Sequence, residues 1–130
     1  MNQKGFATLE VILMVMVIGV LATIAVPRFT NIATKANTAK IQSDLSSLDT
    51  AISIYYMENG SYPTGLSQLS DYIKDVNNLK PPTGSAYVEG TSTKINSANY
   101  EITVPTGSDE ARAVLDGKTS GEFYPPQGRN

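Results

Sequence analysis

The chain has 130 residues, a formal net charge of −2, 41% hydrophobic residues, and neither cysteine nor histidine. Without cysteine there is no disulfide framework and no thiolate metal site; without histidine the commonest acid–base catalyst and metal ligand is missing. The balance of charge argues against a dedicated nucleic-acid binder, and the length allows one small domain beside a membrane segment.

Lys4-Gly5-Phe6 opens a hydrophobic run that carries one carboxylate, Glu10, and no charge over residues 11–26. Residues 6–26 number 21, enough as a helix to cross a hydrocarbon core of roughly 30 Å. An acid near the edge of such a run needs a partner, because a charge at a helix centre costs roughly 2.5–3.5 kcal/mol on insertion scales. Three readings of the segment stand. It is a processed signal whose helix is retained, a secretory signal peptide cut after Thr23-Ile24-Ala25 and before Val26, or an anchor that is never cut. Glu10 and the single Lys4 weigh against the secretory signal.

Gly5-Phe6 followed by Glu10 resembles the class III signal of type IV pilins and of the pseudopilins of type II secretion and competence systems. Ala7-Thr8-Leu9-Glu10 departs from the usual Thr-Leu-(Ile/Val)-Glu while keeping the register of the acid. The resemblance is strong over residues 4–30 and general beyond. It implies cleavage between Gly5 and Phe6 by a prepilin peptidase, methylation of the new amino terminus at Phe6, and a helix retained on the mature protein. It also places Gly19 and Pro27 where the family commonly has helix-loosening residues. Glu10 is then expected to meet the Phe6 amine of a neighbouring subunit inside an apolar bundle, where an unpaired charge is strongly unfavourable.

Past Pro27 the pattern stays helical. Apolar positions fall at Phe29, Ile32, Ala36, Ile41, Leu45, Leu48, Ile52 and Tyr55, with Lys35, Lys40, Gln42, Asp44 and Asp49 on other faces. Gly19 and Gly60 enclose a stretch without glycine, and Pro27 and Pro63 one without proline. One long helix over residues 6–57 is expected, loosened at Pro27 and more weakly at Gly19. The stripe from Ile41 to Ile52 is read as core rather than as a site.

Asn59-Gly60 and Pro63 end the helix. Leu66, Leu69, Tyr72, Ile73 and Val76 predict a short second helix over residues 65–76, and Lys80-Pro81-Pro82-Thr83-Gly84 a loop. The period then shifts towards two. Strands are predicted over 86–89, 100–104 and 111–115, with a polar turn over 90–98 and a hairpin loop over 116–121 leading into 122–124. Residues 125–130 read as a loose tail. The expected fold is α+β: a long N-terminal helix, transmembrane in its first half and amphipathic in its second, packed on a small antiparallel sheet of three to four strands. The expected division is a leader over 1–5, a transmembrane and filament-core helix over 6–27, an amphipathic stem over 28–57 and a head over 58–130.

Other constellations carry little. Gly117-Lys118-Thr119 lacks the first glycine of a phosphate loop, because Arg112 stands in its place. Asp109, Glu110, Asp116 and Glu122 are read as solvated turn carboxylates rather than calcium ligands, and the chain lacks the Asp-rich, Trp-containing tail of the calcium-binding pseudopilins. Asn59-Gly60-Ser61 matches a glycosylation acceptor, a short pattern. Lys74, Lys80, Lys94, Arg112 and Lys118 are scattered, so contact with nucleic acid stays open. No nucleophile stands with a base, and neither enzyme activity nor a cofactor or metal site is expected.

The resemblance therefore implies a type IV pilin-like subunit, anchored once in the cytoplasmic membrane and then assembled into a homo-oligomeric helical filament on the cell surface. Its implied partners are copies of itself, the prepilin peptidase, and a membrane assembly platform with its ATPase. A surface pilus for adhesion, motility or DNA uptake is placed ahead of a type II secretion or competence pseudopilin, because the calcium tail is missing. A membrane-anchored domain of other function is the remaining alternative.

Overall fold

Residues 28–59 contain neither glycine nor proline, and the backbone is helical throughout them. They belong to helix α1, Gln3–Asn59, in a computed structural model that describes residues 3–128, the side chains of 25–30 excepted. The helix stops where the sequence provides for it. Gly60 takes φ +72°, and its N–H donates to the Tyr56 carbonyl at 2.8 Å, closing the last turn. The chain divides between Ala33 and Thr34 into two compact units. The loosening expected at Pro27 and the packing expected of Phe29 involve side chains outside the described set.

In the second unit α1 supplies one wall of the core. Ile41, Leu45, Leu48 and Ile52 are at most 1% exposed, each worth about 1.5–3 kcal/mol of apolar burial. Upstream the stripe departs from expectation: Ile32 is 61% exposed and Ala36 is also exposed, while Thr34 and Thr38 continue the buried face at the same spacing. Thr38 is tolerated there because its hydroxyl is fully used. It donates to the Thr34 carbonyl at 2.7 Å and accepts from the Tyr87 N–H at 2.8 Å.

The expected second helix is instead two 3-10 turns, Leu66–Leu69 and Val76–Asn78. Asp75, at φ +55°, stands in the left-handed region between them and stops any helix from continuing. Leu69 and Val76 still reach the core.

Four short strands follow: β1 (Ser85–Val88), β2 (Thr91–Lys94), β3 (Glu101–Thr103) and β4 (Arg112–Val114). They form two separate antiparallel pairs, β1 with β2 and β3 with β4, rather than one sheet. β2 lies where a polar turn is predicted. Its four residues are all exposed and lack the apolar alternation that marks a strand. The Glu89-Gly90 pair, both at positive φ, makes the two-residue hairpin that forces the pairing, with Val88 opposite Thr91. Asp116-Gly117 turns the same way between Leu115 and Lys118, which exchange two hydrogen bonds of 2.9 Å. No strand forms at 122–124. Ser120–Glu122 is a 3-10 turn that drives Phe123 into the core. The start of the expected tail is held: Gly90 N–H donates to the Tyr124 carbonyl at 3.1 Å, and a Cβ on Gly90 would lie 3.4 Å from Pro126 Cα. Ala86 of β1 and Ala113 of β4 are fully buried, and the Ala113 N–H reaches Asp49 of α1. The class is α+β, as expected.

Candidate functional site: the apolar segment of α1

Gln3–Ile24 is 22 residues with an 18-residue stretch of mean hydropathy 2.4, long and apolar enough to cross a membrane, and none of it is buried. Its two threonines are turned back on the helix. Thr8 Oγ1 donates to the Lys4 carbonyl at 2.9 Å and Thr23 Oγ1 to the Val20 carbonyl at 2.7 Å. Such back-bonding satisfies hydroxyls without water, as an apolar medium demands. Glu10 differs. Among the described residues it makes no ion pair and no side-chain hydrogen bond. It shares a shallow groove with Leu13, Met14, Val17 and Ile18, which are the i+3, i+4, i+7 and i+8 positions of one face. Phe6, one turn before Glu10, is 57% exposed. Gly5 and Gly19 are helical, and a Cβ on either would meet nothing within 4 Å. The packing of a single chain therefore does not call for glycine at either place. Gly5, Phe6, Glu10 and Gly19 thus lie on one helix segment with no other element packed on them in their unit, and Pro27 continues its backbone.

The second unit is organised by polar contacts that apolar periodicity does not register. Asn37 Nδ2 donates to the Thr83 and Ser85 carbonyls at 3.1 and 2.9 Å. Gln42 Nε2 donates to the Phe123 carbonyl. Asp44 accepts from the Tyr100 hydroxyl at 2.7 Å and from Lys40. Asp49 accepts from Arg112 Nη2 at 2.9 Å and from the Ala113 N–H at 2.8 Å. Burial, then the bond to Asp44, pushes the Tyr100 hydroxyl well above the usual phenol range. The hydrogen bond to Asp49 raises Arg112 despite its partial burial. These contacts hold the loop before β1, strand β4 and the C-terminal segment to the stem. The signal for them in sequence is position: Asn37, Thr38, Gln42, Asp44 and Asp49 flank or continue the buried stripe.

The acidic residues weighed for calcium are used differently. Asp116 accepts the Asn96 and Ser97 N–H groups at 2.9 Å each. Glu122 accepts the Thr119 N–H at 2.8 Å. Among the described residues no three acidic side chains converge. Gly117 is a turn residue of a hairpin, and the helix that must follow a phosphate loop is absent from the described residues after Thr119. Asn59 is exposed, with its amide donating to the Tyr55 carbonyl at 3.0 Å.

Known proteins place this arrangement. The chain is 39% identical over 63 residues to the type II secretion system core protein G of Klebsiella pneumoniae, covering 48% of this chain and 45% of that protein. The corresponding protein of Escherichia coli K12 is 29% identical over 125 residues, 94% of this chain and 86% of the relative. The type IV narrow pilus major component PilA5 of Thermus thermophilus is 33% identical over 64 residues, 49% of this chain and 55% of the relative. The match thus spans about half or less of the Klebsiella and Thermus relatives. No solved structure matches. The family described as type II secretion system protein G matches residues 28–110. A pilin-type chain is thereby recognised from its stem and head as well as from its first thirty residues, and it belongs to the type II secretion system protein G family.

Proposed function

We propose that the protein is the major pseudopilin of a type II secretion-type system: a structural subunit, not an enzyme, held by residues 6–27 in the cytoplasmic membrane and then drawn into a short helical filament of its own copies. This reverses the order that the missing calcium tail favours. The reason for the reversal is that the family match lies in the stem and head, and several relatives carry the secretion name. The carrying observation is the 22-residue apolar segment of which nothing is buried, with one carboxylate that has no partner among the described residues.

The mechanism follows from charge. A prepilin peptidase cuts after Gly5 and leaves an amine at Phe6, which is methylated. In the bundle of apolar segments, the Glu10 carboxylate of one copy pairs with the Phe6 amine of its neighbour. Either charge alone in that bundle costs several kcal/mol, so pairing fixes the axial step of assembly. Gly19 and Pro27 are the points where the helix loosens as copies pack. The assembly platform and its ATPase supply the work of extraction from the membrane.

The test has two parts. Mass spectrometry of cell-associated protein is expected to find an N-terminal peptide starting at Phe6 with one added methyl group. Glu10→Ala is expected to insert normally and yield no filaments; normal filaments from that variant would refute the pairing. A surface pilus is the second reading, favoured by the likeness to PilA5. Long sheared filaments at native expression would select it over the short pseudopilus.

A further inference from the structure

The second unit carries two exposed features that its own packing leaves unused. The first is a slot of about 190 Å³ floored by Ala86, Val88, Ile95 and Phe123 and rimmed by Lys94 and Lys118. Lys94 is exposed and makes no ion pair among the described residues; Lys118 has only a loose one, 3.7 Å from Glu122. Asp116 also reaches this rim; its carboxylate accepts the Asn96 and Ser97 N–H groups and keeps its negative charge. The slot thus offers an apolar floor under two lysines and one carboxylate, a rim with one positive charge in excess.

The second feature is the loop joining β3 to β4, residues 104–110. Val104 at its start is 55% exposed, an apolar side chain left in water beside the polar turn. Asp109 and Glu110 at its end are exposed and make no ion pair among the described residues. The loop offers one apolar side chain and two anions, the complement of the slot.

Their positions along the stem decide what such complementarity can do. The strand flooring the slot is bonded to Thr38, and the Phe123 carbonyl accepts from Gln42. Glu110 instead borders a groove with Ser53, Tyr56 and Met57. Some fifteen residues separate the two levels, about 22 Å along the helix axis. The two features lie at different levels of the stem and do not meet within one chain. Two different patches joined copy to copy make a heterologous contact, the kind that propagates in an open array rather than closing a dimer.

We propose that the 104–110 loop of one copy seats in the Lys94/Lys118 slot of the next, with Val104 against the part-exposed Val88 and Ile95 and with Asp109 and Glu110 against the two lysines. The contact rests on the filament reading above and adds to it a bond between heads, separate from the apolar bundle. Its rim charges select partner and register more than they add affinity.

The test uses the full-length chain in cells that assemble it. Lys94→Glu with Lys118→Glu, and separately Asp109→Lys with Glu110→Lys, are each expected to lower filament yield by about tenfold, and combining all four is expected to restore most of it. Near-UV circular dichroism of the tyrosines checks that each head is folded. Independently, Thr93→Cys at the slot with Thr106→Cys in the loop introduces the only two cysteines of the chain. Oxidation of filaments carrying both is expected to give a ladder of multimers that collapses on reduction. Filaments that form normally from either charge reversal, a four-fold variant no better than its parents, or filaments without a ladder would each overturn the head contact and leave the filament reading standing. Cross-linking to a different protein would overturn it in favour of that partner. Failure of the unsubstituted chain to form any filament would remove both.

Discussion

One helix, α1, serves two regions that solve the problem of apolar surface in opposite ways. Over Gln3–Ile24 no residue is buried, and Leu9, Leu13 and Leu21 are each more than half exposed. Over residues 41–52 the leucines and isoleucines of one face are at most 1% exposed, and each polar neighbour of that face has a named partner. The stem region finds its apolar environment within the chain, whereas the N-terminal region requires one from outside it. The same chemical change should therefore have different consequences in the two regions.

Leucine truncation gives the largest contrast. Leu45→Ala removes a fully buried side chain and is expected to cost about 2–5 kcal/mol of head stability. Leu13→Ala is expected to cost the head nothing, since Leu13 is 54% exposed and is not one of the core residues. All seven tyrosines lie at or beyond Tyr55, so thermal melting followed by their near-UV circular dichroism, on the full chain in detergent, reads the head alone. A melting shift with Leu13→Ala as large as that with Leu45→Ala would erase the distinction between the regions.

Threonine gives a smaller and sharper contrast. Thr23 and Thr38 both back-bond to their own helix, but only Thr38 also accepts a strand N–H, from Tyr87. Thr38→Val leaves that N–H without its acceptor in a part-buried site, expected to cost about 1–3 kcal/mol. Thr23→Val is expected to leave the head unchanged. Hydrogen exchange at the Tyr87 amide separates this from a general loss of packing, because it should accelerate beyond its neighbours only in the Thr38 variant.

This pair also shows where sequence reasoning reaches and where it stops. The apolar run and the stripe from Ile41 to Ile52 are legible because hydrophobicity alone determines them, and the helix end at Asn59-Gly60 because only a left-handed cap suits it. Thr34 and Thr38 are missed because a threonine is buried only when a partner elsewhere in the chain takes its hydroxyl, and the partner of Thr38 is forty-nine residues away. β2 is missed because its pairing is imposed by the Glu89-Gly90 turn, not by its own Thr-Ser-Thr-Lys composition. Of the residues proposed for assembly, Glu10 is legible as the lone acid of an apolar run, and Phe6 only through resemblance. A single chain supplies no partner for them to reveal.

The smallest effect expected is one of pH. Burial alone would raise the Asp116 carboxyl, but the N–H groups of Asn96 and Ser97 outweigh it and hold the group below the usual carboxylate range. A carboxylate depressed in the folded state contributes stability above its unfolded value. That contribution is lost as pH falls through the folded one, in the acid region below about pH 4. Asp116→Asn keeps a residue that tolerates the left-handed turn at φ +51°, removes the titrating charge, and puts an NH2 donor where one carboxylate oxygen accepts an N–H. The variant is expected to be less stable near neutrality and to show a shallower loss of head stability on acidification, because the contribution that acid removes is already absent. Glu10→Gln, in the other region, should leave the acid slope of the head untouched, because the head gains nothing from that carboxylate. If Glu10→Gln flattened the slope as Asp116→Asn does, the first region would be coupled to the fold of the second. The two ends of α1 could then no longer be treated as answering to separate surroundings.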